Sequence, residues 1–299
     1  MLALKPFAFP FDFKHKLIVL SIVLNGKKAL RVVLDSGMPG DGLLLFRTPC
    51  VEEFISASVS NPADESDFFK NTPFRMMHDI VFDLPGLRMH EQQALLVDCN
   101  PFPPSSRIDG VIGYSLLNRF AIELNFEKCL LRCTEPGTYF DEDAYLQIPV
   151  TLREDYPFVP CSIEFESGKQ LAVDAYLDLG LTSSLILNSE SHNEFATVVS
   201  APEAAVNSPL GGTIRGQVIG VDTLTLGDYS LHGIAAVSCL DEMIRITGKE
   251  DVHEASIGLD VLRRFKFIID YTNRCLLIAP GAGFKESART ELSGHLLSV

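Results

Sequence analysis

An all-β protein of two homologous lobes is what this sequence predicts, on three observations. The chain writes a strand-ending acidic turn twice, as Leu34-Asp35-Ser36-Gly37 and Leu177-Asp178-Leu179-Gly180. Downstream of each copy stands an apolar Ile-Gly followed by Leu, Arg and Phe. The first runs from Ile112-Gly113 to Leu117, Arg119 and Phe120, the second from Ile257-Gly258 to Leu262, Arg263 and Phe265. The apolar runs between these motifs are short, rich in β-branched residues and bounded by Gly, Asn or Pro, which is the punctuation of strands.

The spacing repeats as well as the motifs. Gly113 lies 78 positions after Asp35, and Gly258 lies 80 after Asp178. Upstream, Phe9-Pro10-Phe11 parallels Ile148-Pro149-Val150, and the turn at Asn25-Gly26 parallels Ser167-Gly168. A repeat of roughly 145 residues is the size of a domain and too long for a solenoid unit. The lobes are therefore placed at 1–138 and 139–299, with the polar, turn-rich stretch from Thr134 to Asp143 between them.

Taken in order, Leu17–Leu24 reads as a strand rather than a leader. Its apolar run is short, lies late and is followed by Asn25-Gly26-Lys27-Lys28. With Ala29–Leu34 it makes a hairpin that delivers Asp35. Val51–Ser60 reads as a short helix, and 61–73 as a polar loop. Ile80–Leu84 and Glu91–Val97 form a second hairpin around Pro85-Gly86, and 100–106 is a Pro-rich connection. In the second half, Asp155–Phe165 and Leu171–Leu177 bracket Ser167-Gly168. Val221–Leu226 then pairs with Leu231–Val237, and Gly281 to Val299 reads as a loose tail.

This strand, Asp-x-Gly, strand, Ile-Gly, helix pattern, present twice and with Ser36 at x in the first copy, resembles the retropepsin-like and pepsin-like aspartic proteases nearly end to end. The resemblance implies two acid-protease β-barrels with an active-site cleft between them, each lobe supplying one catalytic carboxylate, here Asp35 and Asp178. It implies that Ser36, Gly37, Leu179 and Gly180 support the site or the substrate, and that a flap covers it from within 70–90 in the first lobe and from Gly211–Gly216 in the second. In the family the hydroxyl after each Asp bonds across to the opposite lobe. Ser36 retains that group and Leu179 lacks it, which is the main departure.

The chemistry asks for such a pair. Two carboxylates about 3 Å apart do not both ionise, so they share one proton. The ionised member then draws a proton from a bound water, while the protonated member donates to the scissile carbonyl oxygen as charge develops there. Three readings remain open: an endopeptidase using Asp35 and Asp178, a weak or inactive peptide-binding module on the same fold, or a protease that processes its own precursor. Asp109, Asp260 and Asp270 are expected to be structural, because only Asp35 and Asp178 occupy equivalent Gly turns. Asp41, just beyond the first turn, reads as a turn former before Gly42.

Composition narrows the classes further. A formal charge of −14 with no Lys/Arg run longer than two residues argues against nucleic acid as a partner. No apolar run approaches the ~20 residues of a membrane span. Seven cysteines form an odd set without metal-ligand or paired spacing, and no Asn-x-Ser/Thr sequon occurs. Both facts point to a reducing, cytoplasmic setting. Gly211–Gly216 has the spacing of a phosphate loop, but Gln217 stands where Lys is required. No cofactor or metal is expected. The expected partner is a peptide or protein substrate, and the built-in lobe pair leaves a monomer sufficient.

Overall fold

The computed structural model describes residues 6–38, 40–55, 74–98, 100–140, 142–195, 203–208, 212–239 and 253–286. Its first half runs β1 (Phe7–Pro10), β2 (Val19–Leu24), β3 (Lys28–Leu34), β4 (Leu43–Phe46), α1 (Pro49–Ile55), β5 (Phe74–Leu84), β6 (Leu87–Val97), β7 (Gly110–Ile112), α2 (Tyr114–Leu117), β8 (Ala121–Asn125) and β9 (Leu130–Thr134). The second half runs β10 (Leu146–Pro149), β11 (Thr151–Arg153), β12 (Tyr156–Phe165), β13 (Gln170–Leu177), β14 (Leu185–Asn188), β15 (Glu203–Ser208), β16 (Gly212–Leu226), β17 (Tyr229–Cys239), β18 (Ala255–Ile257), α3 (Leu259–Leu262), β19 (Phe265–Asp270) and β20 (Cys275–Pro280). Among the described residues, no helix is long and apolar enough to cross a membrane.

Two barrels stand on one shared sheet. The first closes in the order β2-β3-β7-β4-β6-β5. The second follows the same plan, β12-β13-β18-β14-β17-β16, and closes through the β12–β16 pairing, with β11 and β15 added outside it. Parallel and antiparallel pairings match position by position: β3 on β7 and β13 on β18 are parallel, as are β4 on β6 and β14 on β17. The innermost strands β4 and β14 are buried at every residue. Burial on both faces is why they read as continuous apolar runs.

Beneath the barrels lies an antiparallel sheet ordered β1-β9-β8-β19-β20-β10, so that equivalent strands of the two halves flank a central seam. There β8 pairs β19, with Leu124 opposite Phe267 and Ile122 opposite Ile269. The edge strands β1 and β10 carry the matched Phe9-Pro10 and Ile148-Pro149, Pro being tolerated where a strand has a free side. The two barrels and shared sheet establish the predicted all-β, two-lobed acid-protease architecture.

Several boundaries move. The strand β11 was not anticipated. The helix α1 begins at Pro49, and the remainder of the predicted helix and the 61–73 loop lie outside the described residues. The hairpin β5/β6 starts at Phe74 and tolerates two register shifts. Gly212–Gly216 is strand, paired with the unforeseen β15, and Gly211 lies outside the described residues. The supposed loose tail begins with a 3-10 turn at Ala282–Lys285 that sets Phe284 edge-on to Phe265 and Tyr229. The rest of that tail, 287–299, lies outside the described residues.

The central seam carries a testable load. Phe267 is fully buried in β19, opposite Leu124 and 6.0 Å from the Phe126 ring. Phe267→Ala is expected to lower stability by about 3–5 kcal/mol in urea unfolding, as a transfer loss plus a cavity.

Candidate active site

The two acidic turns are built alike. Leu34 pairs with Ile112 and Leu177 with Ile257, and the chain then leaves each strand with the next amide still bonded. Asp35 N–H donates to Ile112 O, and Asp178 N–H donates to Ile257 O, both at 2.9 Å. The Gly after each Ile exists for space. A Cβ on Gly113 would stand 2.2 Å from Asp35 O, and one on Gly258 would stand 2.2 Å from Ser183 O. Each Ile-Gly is thus the floor on which an acidic turn rests, and that gives the repeated motif its physical reason.

Inside each turn the carboxylate is gripped by its own loop. Gly37 N–H donates to Asp35 Oδ1 at 2.7 Å, and Gly180 N–H donates to Asp178 Oδ1 at 2.8 Å. The loops are tied together by one side chain. Ser36 Oγ donates to Leu177 O at 2.6 Å and accepts from Leu179 N–H at 2.9 Å. Leu179 returns no hydroxyl and is instead fully buried in the apolar core. Its main chain is fixed although its side chain is inert.

The Asp35 carboxyl reaches across the seam to the second turn, where its charge acts on Asp178. Asp35 is buried, and its oxygens lie 2.4 and 2.6 Å from the point where a Cβ on Gly180 would stand. Only glycine leaves that space. Burial raises Asp35 to about 6, against the pull of the Gly37 amide. Asp178, partly exposed, is also raised, first by desolvation and then by the charge of Asp35, with the Gly180 and Leu181 amides opposing. No cation figures among the groups acting on either carboxyl. Both carboxyls are thus shifted in the same direction, and because the charge of one raises the other they titrate as a pair.

The symmetry is broken at Gly37. A Cβ there would stand 2.9 Å from Tyr176 Oη and 3.0 Å from Asp35 Oδ1. Tyr176 is two residues before Asp178, where the first lobe has Val33. Tyr156, Tyr176 and Tyr271 are all buried, and none of their hydroxyls has a hydrogen-bond partner among the described residues. All three are raised chiefly by burial, and the charge of Asp35 adds to each. Sequence reading passed over these tyrosines. The signal was available, since Tyr176 replaces an aliphatic residue of the repeat and Tyr271 replaces Phe126.

The other acids have separate duties. Asp109 accepts from Thr48 Oγ1 and Arg31 N–H, Asp270 accepts from Gly137 N–H and Tyr139 Oη, and Asp260 pairs with Lys16 and Arg263. Asp41 is exposed and paired with Arg119 at 3.0 Å. The first-lobe flap span needs correction. Residues 74–90 belong to the barrel hairpin β5/β6, whose turn lies near the Asn25 turn, at the end of β2–β3 opposite Asp35, with Gly86 against Phe7. The preceding 56–73 lie outside the described residues. Among the described residues no group of three or more His, Cys, Asp or Glu is arranged to hold a metal ion.

No family model and no curated protein matches this sequence. Among solved structures, the aspartic proteinase from Irpex lacteus is similar with a TM-score of 0.60 at 10% identity, over 95% of this chain and 99% of that one. At that identity the likeness is one of fold: the chain has the architecture of an aspartic proteinase.

Two outcomes test this geometry. Gly180→Ala is expected to displace Asp35 and lower the melting temperature, since the added carbon meets a carboxylate from the opposite lobe. For Asp35 the folded state holds its proton more tightly than the unfolded chain. Stability should thus fall as pH rises from about 4 through about 6. Asp35→Asn removes that loss, and is expected to be more stable than the parent by up to about 3 kcal/mol at pH 7.5, with little difference at pH 3.5, in paired denaturant titrations.

Proposed function

We propose that the chain is an aspartic-type endopeptidase in which Asp35 and Asp178 together activate a water against a peptide carbonyl. The observation that carries this reading is the reach of the Asp35 carboxyl over Gly180 of the equivalent turn, each carboxyl gripped by its own loop and Ser36 tying the two turns together. Between its two apparent titrations the pair holds one proton. The ionised carboxylate accepts a proton from water as the oxygen attacks the carbonyl carbon, and the protonated partner donates to the carbonyl oxygen. Collapse of the tetrahedral species returns a proton to the leaving amine. Neither Asp is fixed as acid or base.

Leu179 favours a second reading, a peptide-binding module with little catalysis, because one of the two cross-lobe hydroxyls is missing. Three features support the enzyme over the module. Leu179 keeps its main-chain bond to Ser36, both Gly amides hold their carboxyls, and Asp35 reaches the second lobe. A peptide or protein substrate suits a cleft between two barrels. The six described cysteines are free thiols, which supports a reducing compartment for the working protein.

The test is cleavage of a mixed peptide library by the full chain between pH 3 and 8, read by mass spectrometry. Pepstatin-sensitive cleavage lost in Asp35→Asn and in Asp178→Asn is the expected result. No turnover in the parent, with turnover appearing in Leu179→Thr, would establish the module reading. The pH profile is a further prediction. Both carboxyls are raised, so below about 6 the pair is doubly protonated and lacks a base. The value of kcat/KM is expected to climb through an apparent value near 6, and an optimum at pH 3 to 4 would contradict the buried, cation-free pair.

A further inference from the structure

The Tyr176 hydroxyl is the group that breaks the two-fold symmetry of the site. Its ring is locked edge-on to Tyr156 at 5.9 Å, packs on Phe158 at 5.8 Å and stands across from His253 at 5.5 Å. This packing fixes the ring, and it delivers Oη to within 2.9 Å of the point where a Cβ on Gly37 would stand, a point 3.0 Å from Asp35 Oδ1, without a hydrogen bond between the two oxygens. The residue is 2% exposed. Ser36 lies close by but outside hydrogen-bonding geometry, its own bonds running to Leu177 and Leu179.

A buried phenol without a partner costs about 1–3 kcal/mol. An aliphatic residue, as at Val33 in the first lobe, would avoid that cost. A hydroxyl held there by three aromatic neighbours therefore points to an oxygen acceptor that is not part of the protein. Burial and the charges of Asp178 and Asp35 keep the phenol protonated across the working pH range, so it acts as a donor.

We propose that Tyr176 is a positioning residue of the site, whose hydroxyl donates a hydrogen bond to the water oxygen held by Asp35 and Asp178. The inference rests on the reading of that pair as the hydrolytic centre. One proton of the water faces the ionised carboxylate and the other an acceptor oxygen of the second carboxyl, and one of its lone pairs is pinned by Tyr176. The remaining lone pair is left to attack. This gives the second lobe a hydroxyl contribution to the dyad that Leu179 does not make.

Tyr176→Phe keeps the ring contacts and removes only the donor. The variant is expected to match or exceed the parent in melting temperature. It should lose about tenfold in kcat with KM little changed, the size of one hydrogen bond made in the transition state. Independently of any substrate, carbon-13 titration of the aspartate carboxyls in the full chain is expected to show the apparent values of the pair rising by about half a unit in the variant. A crystal structure of the parent should show a water within hydrogen-bonding distance of Tyr176 Oη and of at least one of the two carboxyls. Unchanged titration together with unchanged kcat overturns the proposal, as does a parent structure in which Oη bonds only Ser36. If the parent cleaves nothing, the hydrolytic reading fails, while the titration and the crystal structure still decide the contact.

Discussion

The Ser36 hydroxyl makes two hydrogen bonds across the seam, one as donor to Leu177 O and one as acceptor from Leu179 N–H. Because those two groups flank Asp178, a single side chain sets the position of the opposite acidic turn from both sides. The rest of the molecule is arranged so that this grip is possible. The shared sheet pairs β8 with β19 across the seam and fixes the relation of the lobes. Each barrel ends a strand at the seam with an Asp whose amide is still in the ladder, so each turn leaves its barrel in the same direction.

One hydroxyl suffices because hydrogen bonds of this kind constrain the main chain, not the side chain that carries them. Leu177 O and Leu179 N–H are the groups that need satisfaction in a buried loop, and Ser36 meets both. A second hydroxyl at 179 would add reciprocal support to the first turn. In its place Leu179 adds apolar burial, a non-directional contribution that still resists separation of the lobes. The exchange leaves the second turn well fixed and makes the first turn depend on its own Gly37 amide and on the Ile-Gly floor at Gly113.

The pattern of what could be read from the sequence follows from which interactions repeat. Leu34/Ile112 and Leu177/Ile257 are ladder partners in both lobes, and Gly113 and Gly258 are forced by backbone contacts of the same kind, so duplication exposes them. Phe9-Pro10 and Ile148-Pro149 were legible for the same reason, being matched edges of one sheet. By contrast β11 is a three-residue strand paired across a two-residue turn, too short to show alternation. The strand β15 is a segment of Glu, Ala, Val, Asn and Ser whose state is set by its pairing with β16, not by its own propensity. Tyr176 and Tyr271 were hidden for a different reason. They differ between the copies, and a search for sameness discards the positions where the halves diverge.

Those divergent positions are where a duplicated site acquires direction. Two identical turns would present a hydrolytic water with two equivalent carboxyls and no preference for either side. Here Asp35 is the more buried of the two and reaches over Gly180, while a phenol from the second lobe occupies the mirror position at Gly37. The field at the centre is therefore one-sided: acceptor-rich toward Asp35, donor-rich toward Tyr176. A polarised site of this kind orients an oxygen at its centre, in surroundings where burial and the repulsion between the two carboxyls hold the pair's proton. The tyrosines and the raised carboxyls are thus two parts of one electrostatic arrangement. Removing Tyr176 would leave the carboxyl pair to orient that oxygen without the phenol's donor.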